Sequence, residues 1–167
     1  FGVHGHEPWT PDEPREAEIA RGMAAAGPWL IPRLGGKPVV EKPPLYYWSS
    51  ALFLKTLGHR IGLVAAARSV SSLFALLTLV ILGLAAAETL GRERGLAAAI
   101  VLASFYGFFY ASHWILMDSL LMFLVAASVL LLHEGLERDR PFCLLSAGLF
   151  AGLAFLTKGP IAFVQIA

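Results

Sequence analysis

Residues 70–87 read VSSLFALLTLVILGLAAA, eighteen positions without a charge, and an apolar run of that length crosses a bilayer as a helix. Ile61 to Ser69 extends the run with Arg68 as its one charge, so the span is read as 61–89. Working outward, the same test picks out 95–112, 115–133 and 142–157, with another span beginning at 161. The expected fold class is an all-α polytopic membrane protein with about four transmembrane helices. Residues 61–167 form its transmembrane part, and residues 1–60 form an extracytoplasmic first loop with amphipathic juxtamembrane helices. A chain 57% hydrophobic and only 15% charged is no ordinary soluble domain. Its net charge of +1 argues for no nucleic-acid partner, and its single cysteine, Cys143, excludes an internal disulfide and a Cys-based metal cluster. Phe1 to Leu34 holds no basic stretch followed by an apolar core, so no cleavable signal peptide is read there. Because it opens at Phe1 and stops at Ala167 within an apolar run, the chain reads as an N-terminal fragment of a longer polytopic protein.

Orientation follows from the loops. Arg92 and Arg94 sit in one connection, and Arg138 and Arg140 in another, while Ser112 to Ile115 carries no Lys or Arg. The positive-inside rule makes the arginine loops cytoplasmic, and alternation puts the first third, the turn near Asp118 and Lys158 on the opposite face. Trp9, Trp29, Trp48 and Trp114 fall on that same side near span ends, as an aromatic belt requires.

The first third is ordered in this reading. Thr10-Pro11-Asp12-Glu13 has a capping-box pattern, and Ile19, Ala20, Met23 and Ala24 form an apolar stripe opposite Glu18 and Arg21, as in a short amphipathic helix lying on the membrane. Gly27-Pro28 ends that helix, and Gly35-Gly36 makes a turn. Pro44 to Gly58 is too short to cross, since 15 residues at ~1.5 Å each reach about 22 Å against a core of ~30 Å; it is read as an interfacial helix. Immediately before it, Pro43-Pro44 biases Lys42 to extended backbone and fixes Glu41-Lys42 beside the bilayer.

Several residues here can carry chemistry. Asp12 and Glu13 either cap a helix or form an acidic pair in a site. Asp118, the one charge between Gly95 and His133, either caps a hairpin or acts at the edge of two apolar spans. Lys158, in the helix-breaking run Leu156-Thr157-Lys158-Gly159-Pro160, either snorkels or binds an anion. Topology brings Asp12, Arg15, Lys42, Asp118 and Lys158 to one membrane face, a set that suits a phosphate leaving group held by cations and a carboxylate activating an acceptor. His4, His6 and Glu7 are a weak metal pattern, Gly148 and Gly152 read as a helix-packing seam, and glycine-rich phosphate loops are absent.

The run from Trp9 through Asp12-Glu13-x-Arg15 to Met23, then Gly27-x-Trp29-Leu30-x-Pro32-Arg33-Leu34-x-Gly36-Lys37-Pro38 and Glu41-Lys42-Pro43-Pro44-Leu45-Tyr46-Tyr47-Trp48, resembles the GT-C membrane glycosyltransferases. The likeness is to the branch holding lipid A aminoarabinose transferases and protein mannosyltransferase-like enzymes. It implies an inverting glycosyltransferase of a bacterial inner membrane, multi-pass, with its active site extracytoplasmic. The donor would be a polyprenyl-phosphate-linked sugar, and the acceptor a lipid or a protein. Carried onto this chain, the resemblance makes Asp12 and Asp118 catalytic and makes Glu13, Arg15, Lys42, Tyr46 and Lys158 substrate-binding. Glu41 matches a position that can join a divalent-metal site, with no cofactor otherwise implied. Glu16 departs from the aminoarabinose branch, which commonly has tyrosine there. The rival reading is a polytopic secondary transporter or lipid flippase using Asp118 and Lys158 at a broken helix.

Overall fold

The computed structural model describes residues 3, 5, 7–9, 12–25, 27 and 29–166. Thr10 and Pro11 of the expected capping box, and His4 and His6, lie outside them. The elements are α1 (Asp12–Ala25), β1 (Arg33–Leu34), β2 (Lys37–Pro38), α2 (Leu45–Ile61), α3 (Leu63–Leu90), α4 (Arg92–Ser104), α5 (Tyr106–His113), α6 (Asp118–Glu137), α7 (Pro141–Lys158) and α8 (Ile161–Ile166). Helices α3, α6 and α7 are long and apolar enough to cross a membrane, and α4 with α5 makes a fourth span if the bent pair counts as one. At 28 residues α3 is about 42 Å long, more than a bilayer core needs. The chain is an all-α polytopic membrane protein.

The second apolar segment differs from the straight span expected at 95–112. Its helix starts earlier, at Arg92, and breaks at Phe105, with α4 and α5 bent by 72°. Phe105 is extended at φ −68° and ψ 129°, and the Ser104 hydroxyl donates to the Val101 carbonyl at 2.6 Å. That local bond occupies a carbonyl at the end of α4, with the extended Phe105 between the two helices. The close approach of α3 and α4 lies at Gly95, where an added Cβ would stand 2.6 Å from Ala87. At the Gly148–Gly152 seam expected in α7, a Cβ added to either glycine would meet no neighbouring element within 4 Å; α6 and α7 instead meet closely at Gly135, against Leu144.

In the first third, the stripe on α1 is covered by protein. Ile19, Ala20 and Met23 are buried in one core with Tyr46, Tyr47 and Ala51 of α2, Val70 of α3, and Ile115, Leu120 and Leu121. This apolar face therefore packs on α2 rather than on lipid, as three to four buried side chains in two turns require of a helix with a neighbour. The two strands form a hairpin in the register Arg33↔Pro38 and Leu34↔Lys37. Gly35 and Gly36 have φ of 56° and 80°, the double positive φ that a tight two-residue turn demands. Trp48 Nε1 donates to the Trp29 carbonyl at 2.5 Å and Lys55 lies 5.1 Å from the centroid of the Trp29 ring, which fastens the segment before the hairpin to α2.

Cross-links collect at one end of the bundle. Ser72 donates to the Ser112 carbonyl, Ser71 to that of Leu116, and the Ile115 N–H to Glu13. The first third of α3, the 112–118 turn and α1 thus share one end, and the stretch of α3 beyond Ser72, about 30 Å of helix, separates them from Arg92 and Arg94.

Candidate active site

Asp12 is the first residue of α1 and is exposed. Its neighbour Glu13 is fully buried. Arg68 Nε and Nη2 donate to the two Glu13 oxygens at 2.8 and 2.9 Å, and the backbone N–H groups of Trp9 and Ile115 donate at 2.9 and 3.0 Å. Burial alone would raise the Glu13 carboxyl, but the Arg68 hydrogen bond and those two N–H groups outweigh it and hold the carboxyl below its ordinary value. Arg68 Nη2 also donates to the Glu7 carbonyl at 3.2 Å. Every lone pair that a buried carboxylate needs satisfied is engaged, so Glu13 anchors the first turn of α1 to the wall of α3. A cavity of 480 Å³ lies beside this anchor, lined by Glu7, Pro8, the α2–α3 turn and Arg68.

One turn further along α1, two pairs cross from the helix to the segment before α2. Arg15 Nη2 is 2.8 Å from Glu41 Oε2, and Lys42 Nζ is 2.5 Å from Glu16 Oε1. The dipeptides Arg15-Glu16 and Glu41-Lys42 carry opposite charge orders and meet charge to charge. The Arg15 hydrogen bond keeps the Glu41 carboxyl below its usual value. Their burial differs: Glu16 is 1% exposed, Lys42 26% and Glu41 70%. Glu16 Oε2, the Tyr47 hydroxyl and the Ser50 hydroxyl are buried with no protein hydrogen-bond partner among the described residues. Burial and the Glu16 charge push the Tyr47 hydroxyl well above its usual value.

The second expected carboxylate, Asp118, opens α6 and pairs with Lys158, the last residue of α7, at 2.5 Å with both side chains partly exposed. The structure thus places two expected site residues on each other. Asp118 follows Ile115, whose N–H is held by Glu13, by only three residues, so the turn bearing it is tied to the first turn of α1. Tyr46 is fully buried, its hydroxyl 3.1 Å from Ser71 Oγ, and burial first of all raises its pKa. Among the described residues no three His, Cys, Asp or Glu side chains gather as a metal site, and Glu41 is engaged with Arg15, so these residues do not by themselves make a metal centre.

Two pairings at the candidate site have little signal in the sequence. Arg68 stands there as a charge within a span and at a position that fits the family resemblance, and a lone arginine near a span end must find an anion, but nothing local names Glu13 as that anion. The pairing of Glu16 with Lys42 had no local signal, since 26 residues separate them.

The model for the family described as dolichyl-phosphate-mannose-protein mannosyltransferase matches residues 41–167. An undecaprenyl phosphate-α-4-amino-4-deoxy-L-arabinose arabinosyl transferase of Pseudomonas aeruginosa (strain LESB58) is 33% identical over 97% of this chain and 30% of its own length. One from Sodalis glossinidius (strain morsitans) is 31% identical over 92% of this chain and 28% of its own length. Among solved structures, ArnT from Cupriavidus metallidurans bound to undecaprenyl phosphate superposes with a TM-score of 0.86 at 25% identity, over 98% of this chain and 30% of that one. The chain spans about 30% of the length of the relatives it matches.

Proposed function

We propose, from the premise that this chain belongs to the dolichyl-phosphate-mannose-protein mannosyltransferase family, that the protein it is part of transfers a sugar from a polyprenyl-phosphate-linked donor to a lipid or protein acceptor. Transfer takes place on the extracytoplasmic face of the inner membrane. The relatives' names support an amino-pentose on undecaprenyl phosphate as the donor class. The observation that carries the reading is the crossed pairing of Arg15-Glu16 with Glu41-Lys42, which sets Arg15, and Lys42 through its contact with Glu16, about one helical turn along α1 from the exposed Asp12.

In this reading the donor phosphate sits against Lys42 and Arg15. The acceptor oxygen forms a bond to the anomeric carbon from the face opposite the phosphate while the bond from that carbon to the phosphate oxygen breaks. The electron pair leaves with the polyprenyl phosphate, and Asp12 takes the proton of an acceptor hydroxyl. Glu13 and Tyr46, both fully buried, act by holding α1 and α2 in place. Asp118 and Lys158 stand at the same end of the bundle, where the lysine meets an anionic part of donor or acceptor. A transporter or flippase finds no support among the relatives above, which bear transferase names.

Lys42→Ala in the full-length enzyme tests the reading. A cation that meets the phosphate in ground and transition states contributes to donor binding as well as to turnover, so both should fall, donor affinity by roughly 10- to 100-fold. Donor binding and transfer both at parental levels would refute the phosphate role of Lys42.

A further inference from the structure

We propose that Glu16 is a counter-charge on Lys42 that weakens its grip on the phosphomonoester product and so speeds release of the spent lipid carrier. The inference rests on the reading above that Lys42 meets the donor phosphate. Glu16 is 1% exposed and reaches Lys42 Nζ with one oxygen, while its other oxygen makes no hydrogen bond among the described residues. A buried carboxylate left half satisfied is a poor stabiliser. Replacing the Glu16–Lys42 pair as a whole by apolar side chains would serve the fold as well, so the retained charge is explained by what it does to Lys42. The neighbouring Tyr47, its hydroxyl pushed upward by burial and by Glu16, offers no compensating cation. The cations near Glu16 are Lys42 and, on the adjacent pair, Arg15, which is already engaged with Glu41.

The chemistry of transfer makes that charge selective. The donor is a phosphodiester with one negative charge. When its bond to the anomeric carbon breaks, the electron pair stays on the phosphate oxygen and the product is a monoester with about −1.5 to −2 charge at pH 7. A carboxylate held on Lys42 therefore repels the product about 1.5 to 2 times as strongly as the donor. It also orders the lysine side chain, which favours binding. The repulsion prevails, because two unit charges about 5 Å apart at the effective dielectric of a protein surface repel by more than the ordering of one lysine side chain costs.

The test compares the full-length parent, Glu16→Gln, Glu16→Asp and Lys42→Ala, measuring binding of undecaprenyl phosphate and of its methyl phosphodiester in detergent or nanodiscs. Glu16→Gln keeps the shape and removes the charge; it should bind the monoester tighter by at least about tenfold and the diester by a factor several-fold smaller, with product inhibition growing to match. Glu16→Asp keeps the charge and should stay near the parent. If Glu16→Gln does not yield folded protein, Glu16→Ala serves as the neutral variant. A neutral variant that binds the monoester no tighter than the parent, or gains equally for both ligands, overturns the inference. Lys42→Ala separates the two levels. If it weakens neither ligand, the phosphate role of Lys42 falls and the inference with it; if it weakens both while the neutral variant gains nothing, only the role of Glu16 falls.

Discussion

Glu13–Arg68 and Asp118–Lys158 are both acid–base pairs at the end of the bundle that carries α1, yet the first has both side chains at 0% exposure and the second leaves 43% of the aspartate and 33% of the lysine open. The difference lies in what each pair can still bind. A bidentate pair with two extra backbone N–H donors has no capacity left for a ligand, so it is a fastener. A half-exposed pair with one contact is cheap to open, and each partner can exchange the other for a substrate group. Glu13 and Asp12 show the same division at adjacent positions: the helix turns one carboxylate into the core and leaves the next one out.

The largest effect should come from the exposed member of that adjacent pair. Asp12→Asn keeps size and removes basicity, so with a hydroxyl acceptor kcat should fall by roughly 10² to 10⁴ while donor affinity and thermal stability hold. Glu13→Gln should show the reverse character: a stability defect first, with activity lost only as folded protein is lost. Single-turnover transfer and thermal unfolding on the same preparations separate the two. A stable, fully active Asp12→Asn enzyme would mean that the exposed carboxylate is only a helix-terminal charge.

Breaking the buried pair from its other side comes next. Arg68→Met strands the Glu13 carboxylate in the interior, and removing one partner of a buried pair costs about 3 to 5 kcal/mol. The pair also sets an acid limit. The folded-state pKa of Glu13 lies below its ordinary value of 4.5, so its contribution is fully present above about pH 4.5 and is lost as pH falls through the lower folded value. Parental protein should keep a constant unfolding temperature from neutral pH down toward 5 and lose it below 4.5. Glu13→Gln, weaker at pH 7, should lose less over the same acid range. Equal acid slopes would show that Glu13 is no more stabilised as the anion in the fold than in the unfolded chain.

What the sequence makes legible divides along the same line. Absence of charge over 70–87 marks a span because desolvating a charge in hydrocarbon is costly wherever the segment ends up, and Gly35-Gly36 marks a turn because two positive φ values are needed at adjacent positions. These are local constraints. Orientation grouped Asp12, Arg15, Lys42, Asp118 and Lys158 at one end on loop charge, without any contact being known. The pairings themselves were not legible, since Glu13 meets Arg68 across 55 positions and Ile115 across 102. Nor was the break at Phe105, whose flanks include no proline and where Ser104 and Gly107 are no stronger a signal than Ser71 and Gly83 inside the unbroken α3. The stripe on α1 was visible but not its partner: periodicity marks a face that must be covered and does not tell protein from lipid.

The smallest stability effect, and the sharpest test of the comparison, is expected at Asp118. Asparagine keeps the size and hydrogen-bonding reach of the side chain at the start of α6 and removes only the charge, so what is lost is the Lys158 ion pair and a first-turn dipole contribution. For a pair this exposed those together amount to no more than about 1 kcal/mol after solvent screening. Unfolding temperature should therefore move by a few degrees at most, against the large drop expected for Arg68→Met. Activity should not follow stability. If the open pair is there to be exchanged for substrate, Asp118→Asn should lower transfer by roughly 10- to 100-fold in a protein that is otherwise intact. Lys158→Met should lower it too, by leaving Asp118 unopposed next to an anionic ligand. A neutral result in both assays would make this pair an idle surface contact and confine the site to α1 and the Glu41-Lys42 segment. A stability loss as large as that of Arg68→Met would show that partial exposure does not distinguish a working pair from a fastener in this fold.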